Sequence, residues 1–142
     1  MKIEQFQLHD RFERNHWWFQ GRREILGALI REIAPPAKDK TVFDLGCGTG
    51  ANIASLMSEY RCIAADVSAD AIGFAKKRYP SLEAHVLGGG LDEAASLAAN
   101  ADAVLLLDVI EHVANPREHL KALAETMRPG AALFITVPAD AK

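Results

Sequence analysis

From Thr41 onward the chain alternates short apolar runs with amphipathic stretches. A first apolar run covers about 41–45, and a helical pattern follows over about 51–59. A second strand, Cys62-Ile63-Ala64-Ala65, ends at Asp66. Ser68 is placed to cap a helix over about 69–79, which Pro80 stops. The third strand runs from Glu83 to Leu87 and is closed by Gly88-Gly89-Gly90, with a short alanine-rich helix over about 91–98. Ala103 to Leu107 is a continuous apolar run, as expected of a strand buried on both faces, and it ends at Asp108. Helical segments follow at about 109–113 and 117–127, with Pro116 placed to start the second. Pro129-Gly130 makes a turn before a fifth strand, Ala132 to Val137. Strands separated by helices imply parallel pairing through right-handed crossovers.

Ahead of this pattern, residues 3–34 read as two helices. Phe6, Leu8 and Phe12 give the first a weak apolar face; Ile25, Leu26, Leu29, Ile30 and Ile33 give the second a stronger one. Pro35-Pro36 stops it. Between the two lies His16-Trp17-Trp18-Phe19-Gln20-Gly21-Arg22-Arg23. Three successive aromatics cannot share one face of a helix. Either one or two anchor the core, or they form a lid over a ligand with Arg22 or Arg23 stacked on a ring or holding a carboxylate. The polar stretch 35–40 is the best boundary, giving a helical cap segment over 1–36 and an α/β core over 37–142.

The length, 142 residues, suits one domain. A net charge of −3 gives no phosphate footprint, so no nucleic-acid partner is expected. Lys76-Lys77-Arg78 reads as a solvated helix end. No apolar run approaches the ~20 residues that span a bilayer, and the N-terminus is too charged for a signal peptide. Cys47 and Cys62 have neither zinc nor disulfide spacing, which points to a reducing, cytoplasmic setting without a metal centre.

Chemistry concentrates at one place. Asp44, Asp66 and Asp108 all fall at strand ends, and in a parallel sheet these lie on one edge, where such sheets bind ligands. Between the first strand and its helix runs Gly46-Cys47-Gly48-Thr49-Gly50-Ala51. This satisfies the loose dinucleotide pattern, with Asp66 about 20 residues on. Asp44 argues against a pyrophosphate there, since like charges at ~4 Å cost on the order of 4 kcal/mol at an effective dielectric of 20. A ligand with a cationic end would gain instead. S-adenosylmethionine fits: its ammonium can use Asp44, its carboxylate the helix N-terminus, and its ribose Asp66.

The segment VFDLGCGTG (42–50) resembles motif I of the class I S-adenosylmethionine-dependent methyltransferases, and Asp66 matches that family's ribose-binding acid. DAVLLLDVIEHVANP (102–116) and MRPGAALFITVP (127–138) resemble the fourth- and fifth-strand motifs of its ubiquinone-biosynthesis-like subgroup. HWWFQGRREIL (16–26) is similar to an N-terminal cap segment of one branch. The resemblance implies a Rossmann-like doubly wound sheet of order 3-2-1-4-5 under an N-terminal helical cap. It implies that Gly46, Cys47, Gly48 and Gly50 wrap the methionyl part of the cofactor, that Asp44 holds its ammonium, and that Asp66 takes both ribose hydroxyls. Val67, Gly89 and Leu91 would pack on the adenine, Asp108 would sit beside the sulfonium, and Arg22 is a candidate for the cofactor carboxylate. Where the family has an acidic or polar adenine contact after strand three, this chain reads Gly88-Gly89-Gly90-Leu91-Asp92, and Asp92 could supply that contact. The family's strands six and seven are also absent after Lys142, so the chain reads as C-terminally truncated, with a bare fifth strand through which it could form a homodimer.

Methyl transfer to a small-molecule acceptor follows from the resemblance, yielding S-adenosylhomocysteine. His112 or Glu111, just past Asp108, would serve as acceptor base; His9, His85 and His119 are expected away from that edge. Two alternatives stand beside this reading. One is a cofactor-binding module that no longer catalyses. The other is a nicotinamide-dependent oxidoreductase, resting on the loose glycine pattern.

Overall fold

The computed structural model describes residues 3–88 and 91–139. Its element order is α1 (Ile3–Asn15), α2 (Trp17–Ile33), β1 (Thr41–Leu45), α3 (Ala51–Ala54), β2 (Arg61–Asp66), α4 (Ala69–Arg78), β3 (Glu83–Val86), α5 (Leu91–Ala98), β4 (Ala103–Leu107), a 3-10 turn (Ile110–His112), α6 (Pro116–Thr126) and β5 (Ala132–Thr136). The five strands form one parallel sheet in the order β3-β2-β1-β4-β5, as expected. β1 and β4 are interior strands and almost wholly buried, and helices cover both faces. On one face Val42, Ala64 and Leu105 pack with Ile30 of α2, Ile53 of α3 and Ile72 of α4. On the other, Phe43, Ala65 and Val104 pack with Ala94 and Ala98 of α5 and Leu123 of α6.

Local signals fix most boundaries. His16 caps α2 by accepting from the Trp18 N–H through Nδ1 at 3.3 Å. Ser68 Oγ accepts from Ala71 N–H at 3.2 Å to cap α4, whose last turn carries Lys76, Lys77 and Arg78. Pro116 opens α6.

Three expectations change. The helix anticipated over 51–59 stops at Ala54. The next residues turn more tightly: Ser55 N–H donates to Asn52, Leu56 N–H to Ile53, and Ser55 Oγ also claims the Asn52 carbonyl. That tightening buries Leu56 and lets the Tyr60 hydroxyl donate to the Ala34 carbonyl at 2.7 Å. On α1, only Phe6 of the three apolar residues is buried, stacked on Phe74 at 6.1 Å; Leu8 and Phe12 are exposed. The inward face is instead Phe6, Asp10 and Glu13, three positions at helical spacing, two of them acids docked by ion pairs and hydrogen bonds. On α2, Ile30 is buried while Ile25, Leu29 and Ile33 are exposed, so the packed stripe is narrower than the apolar one.

Candidate functional site

Two cavities open along the carboxyl edge of the sheet and share Gly46, Asp108 and His112. One, of about 590 Å³, is walled by Asp66, Val67, Leu87, Ala94, Val109, Val113 and His119. The other, of about 460 Å³, lies between α1–α2 and the glycine turn. Its walls are His9, Glu13, Trp18, Phe19 and Arg22 on one side and Asp44, Cys47, Gly48 and Thr49 on the other. Each is of small-molecule size, and together they make an elongated two-part site.

The floor of the second cavity is Asp44. It is 1% exposed, and its Oδ1 has no hydrogen-bond partner. Burial, and then the charge of Asp66, push its pKa up to about 7. A buried carboxylate oxygen without a donor is costly, and it calls for a donor from outside the protein, a bound water or a ligand. The same surroundings push the Cys47 thiol upward, so it packs as an apolar wall rather than a nucleophile.

The glycine turn is shaped by what lies behind it. Gly46 sits at φ +83, and a Cβ there would meet Val109 Cγ2 at 2.5 Å. Only glycine allows both the conformation and the approach. Gly46 and Cys47 N–H groups donate to the Ala65 carbonyl, tying the turn to β2. Asp66 closes it further: Oδ2 accepts from Gly48 N–H at 3.0 Å and Oδ1 from Ser68 N–H at 2.9 Å. Each oxygen keeps a second lone pair for a ligand hydroxyl. Val67, beside it, is 75% exposed on the cavity wall, a large apolar surface without a protein partner.

Asp108 joins the two halves. It adopts φ +56, uncommon for a residue with a Cβ, and strained backbone of this kind gathers at functional sites. Arg22 Nη1 donates to its Oδ2 at 2.6 Å, Arg22 Nη2 donates to Thr136 Oγ1 at 2.5 Å, and Thr136 Oγ1 donates to Asp108 Oδ1 at 3.0 Å. Arg22 also lies over the Trp18 ring at 5.3 Å. The aromatic segment is therefore a wall over the cavity, with Phe19 set edge-on to Trp18. Trp17 and Trp18 are exposed rather than core anchors.

Two site expectations are corrected. The helix whose N-terminus was to receive an anion, α3, is four residues long and offers little dipole. Arg22 is the cation lining this cavity instead. Second, His9 and His119, expected away from the edge, both line the site; His119 is on the apolar wall, where burial lowers its pKa. His85 is on β3 beside Glu83, as anticipated. Of the proposed bases, His112 lines both cavities but is 80% exposed and meets Glu111 only at 3.9 Å; Glu111 lines neither. Gly89 lies outside the described residues, and of Leu91 only the backbone is described.

Sequence reading missed Glu13, His9, Thr49 and Thr136. Glu13 is 8% exposed and accepts from Thr49 Oγ1 at 2.5 Å, while Arg23 Nη2 donates to its backbone carbonyl at 2.7 Å. Only the His9–Glu13 spacing, i to i+4, gave a local hint.

The profile of a family described as methyltransferase domain matches residues 9–142. Among curated proteins, the chain is 40% identical over 109 residues to the ubiquinone biosynthesis O-methyltransferase of Parvibaculum lavamentivorans, covering 70% of this chain and 41% of that one. It is 26% identical over 125 residues to a probable S-adenosylmethionine-dependent methyltransferase of Mycobacterium tuberculosis, covering 87% and 43%. Among solved structures, S-adenosylmethionine-bound CalS10, an amino pentose methyltransferase from Micromonospora echinaspora, superposes with a TM-score of 0.69 at 19% identity, over 98% of this chain and 57% of that one. A protein from Methanococcus maripaludis superposes with a TM-score of 0.75 at 14% identity, over 96% of this chain and 64% of that one. The chain spans about half the length of the curated relatives it matches.

Proposed function

The chain belongs to the methyltransferase domain family, and from that premise we propose that it binds S-adenosylmethionine across the two cavities and takes part in methyl transfer to a small-molecule acceptor. The single observation that carries the reading is the buried, donorless Oδ1 of Asp44 on the floor of the cavity beside the glycine turn. An ammonium group supplies the missing donor and stabilises the ionised carboxylate. A pyrophosphate would do the reverse, which leaves the nicotinamide reading without support.

The remaining residues fit the same ligand. Gly46, Cys47 and Gly48 form the backbone cradle for the methionyl half, whereas Gly50, expected there too, lines neither cavity and faces Ala75 and Leu82 behind the turn. Arg22 has five N–H groups, and those not used on Asp108 and Thr136 are available to a carboxylate. Asp66 accepts from the ribose diol, and Val67 with Leu87 gives the adenine an apolar bed. When bound, the cofactor supplies a methyl group activated on a sulfonium. The protein's part is to hold the acceptor in line and exclude water, and Asp108 sits at the junction where donor and acceptor meet. His112, at the same junction, is a rim contact to the entering acceptor, with Glu111 beside it.

We assign residues 1–36 to the cap and 37–142 to the cofactor-binding core. Pairing of two copies through β5 is supported by its place at the sheet edge, beside β4 alone among the described residues, and by exposed Ile135 and Val137. A reducing cytoplasmic setting is supported by two buried free thiols. Among the described residues no helix is long and apolar enough to cross a membrane.

Isothermal titration with S-adenosylhomocysteine tests the reading. One-site binding that NADH does not displace is expected. No heat with S-adenosylhomocysteine, or full competition by NADH, overturns it.

A further inference from the structure

We infer that His9, held by Glu13, is the group that takes the proton from a hydroxyl acceptor, an assignment that rests on the cofactor reading above. His9 Nδ1 lies 3.4 Å from Glu13 Oε1. The other carboxylate oxygen, Oε2, accepts from Thr49 Oγ1 in the glycine turn at 2.5 Å. The chain Thr49–Glu13–His9 therefore runs from the cofactor cradle, through a buried carboxylate, to an imidazole on the cavity wall. The ring is also packed edge-on against Phe19, with centroids 5.8 Å apart. Its position is thus set by two neighbours from different helices.

A carboxylate facing Nδ1 favours the tautomer with its proton there, which leaves Nε2 as the basic nitrogen. The opposite edge of the ring is the one turned from Glu13, and His9 lines the cavity that also holds Asp44 and Asp108. At 3.4 Å the contact is an ion-pair distance rather than a hydrogen bond, and a small approach of the two side chains on ligand binding would give the arrangement by which a carboxylate orients a histidine base. The other charged and titratable groups sharing the cavity are Glu13, Arg22, Asp44, Cys47, Asp108 and His112. Asp108 is committed to Arg22 and Thr136, Asp44 lies at the floor under the proposed ammonium, and His112 is only loosely held. His9 is the group that is both oriented and accessible.

A neutral hydroxyl is a weak nucleophile, so its attack gains from a base acting as the new bond forms. The oxygen lone pair forms the O–C bond, the electron pair of the broken C–S bond stays on sulfur, and the hydroxyl proton passes to His9 Nε2. His9 later passes that proton to water.

Two measurements test this. In protein carrying isotope-labelled histidine, nitrogen NMR is expected to show His9 protonated on Nδ1 and bare at Nε2. Its ring signals are expected to move on saturation with S-adenosylhomocysteine, and Glu13→Gln to change the tautomer. With catechol as probe acceptor and S-adenosylmethionine as donor, His9→Gln is expected to lower kcat by about 100-fold or more, with affinity for S-adenosylhomocysteine within about two-fold of the parent's. His85→Gln, on the outer strand, is the neutral control. A proton on Nε2, ring signals indifferent to S-adenosylhomocysteine, or unchanged turnover in His9→Gln overturns the inference. So does a parent protein that binds S-adenosylhomocysteine yet transfers no methyl to catechol. A parent that fails to bind S-adenosylhomocysteine overturns the cofactor reading itself, and the inference with it.

Discussion

Replacing Asp44 with asparagine keeps the side chain's shape and removes its ability to ionise. Burial first, and the charge of Asp66 second, move the Asp44 pKa from 3.8 to about 7. At 1.36 kcal/mol per pH decade, an ionised Asp44 therefore lowers folding stability by about 4 kcal/mol at pH 8, relative to a carboxylate in water. The sign follows from a folded pKa above the unfolded one. The group's contribution is whole below about pH 4 and is lost as pH rises through about 7. Asparagine escapes that loss, but its amide is itself short of partners, at about 1–3 kcal/mol. The variant is thus expected to be more stable than the parent at pH 8 by about 1–3 kcal/mol, seen as a Tm higher by about 4–10 °C, and to lose this advantage by pH 5. Its affinity for S-adenosylhomocysteine should fall by about 30-fold or more, because a buried charge-assisted contact is gone. Binding to the parent at pH 6 should release close to one proton, read by calorimetry in two buffers of different ionisation enthalpy. A Tm difference that does not vary with pH, together with unchanged affinity, would refute the reasoning.

Three further outcomes follow from named contacts. Gly46→Ala should destabilise by about 2–4 kcal/mol in urea titration, since its Cβ would meet Val109 Cγ2 at 2.5 Å from a backbone at φ +83; Val109→Ala should restore only part of this, because the backbone strain stays. Thr49→Val should cost about 1–3 kcal/mol by removing the donor to buried Glu13, and hydrogen exchange should show α1 less protected. Arg22→Lys should weaken S-adenosylhomocysteine binding by about 10-fold in calorimetry, because an ammonium cannot reproduce the planar fork that spans Asp108 and Thr136.

The sheet was legible because its information is local and periodic. β4 has the bounds its apolar run suggested, and α5 its anticipated span. The three aspartates reach one edge because parallel pairing leaves no other choice. Where reading failed, a non-periodic interaction had won. Ser55 diverted the Asn52 carbonyl and shortened α3. The apolar stripe of α2 exceeded what the sheet could cover, so Ile25, Leu29 and Ile33 stayed exposed. Composition cannot tell a covered apolar residue from an uncovered one, because helical period fixes the face but not the partner.

The site divides along the same line. Its floor comes from strand ends and the glycine turn, where residue type and position are enough to predict the place of each side chain. Its roof comes from α1 and α2, whose polar residues meet partners far along the chain: Glu13 meets Thr49, and Arg22 meets Asp108 and Thr136. Those pairings are invisible to a periodic reading, yet they carry the roof's attachment, since α1 buries Phe6 and leaves Leu8 and Phe12 exposed. A roof held by a few charged and hydroxyl contacts, each worth about 1–3 kcal/mol, is easier to lift than one held by an apolar seam. It follows that ligand entry should proceed by opening of α1 and the first turns of α2, the far end of α2 being fixed by Ile30 in the core, and that the contacts anchoring the roof are the same ones that orient the site.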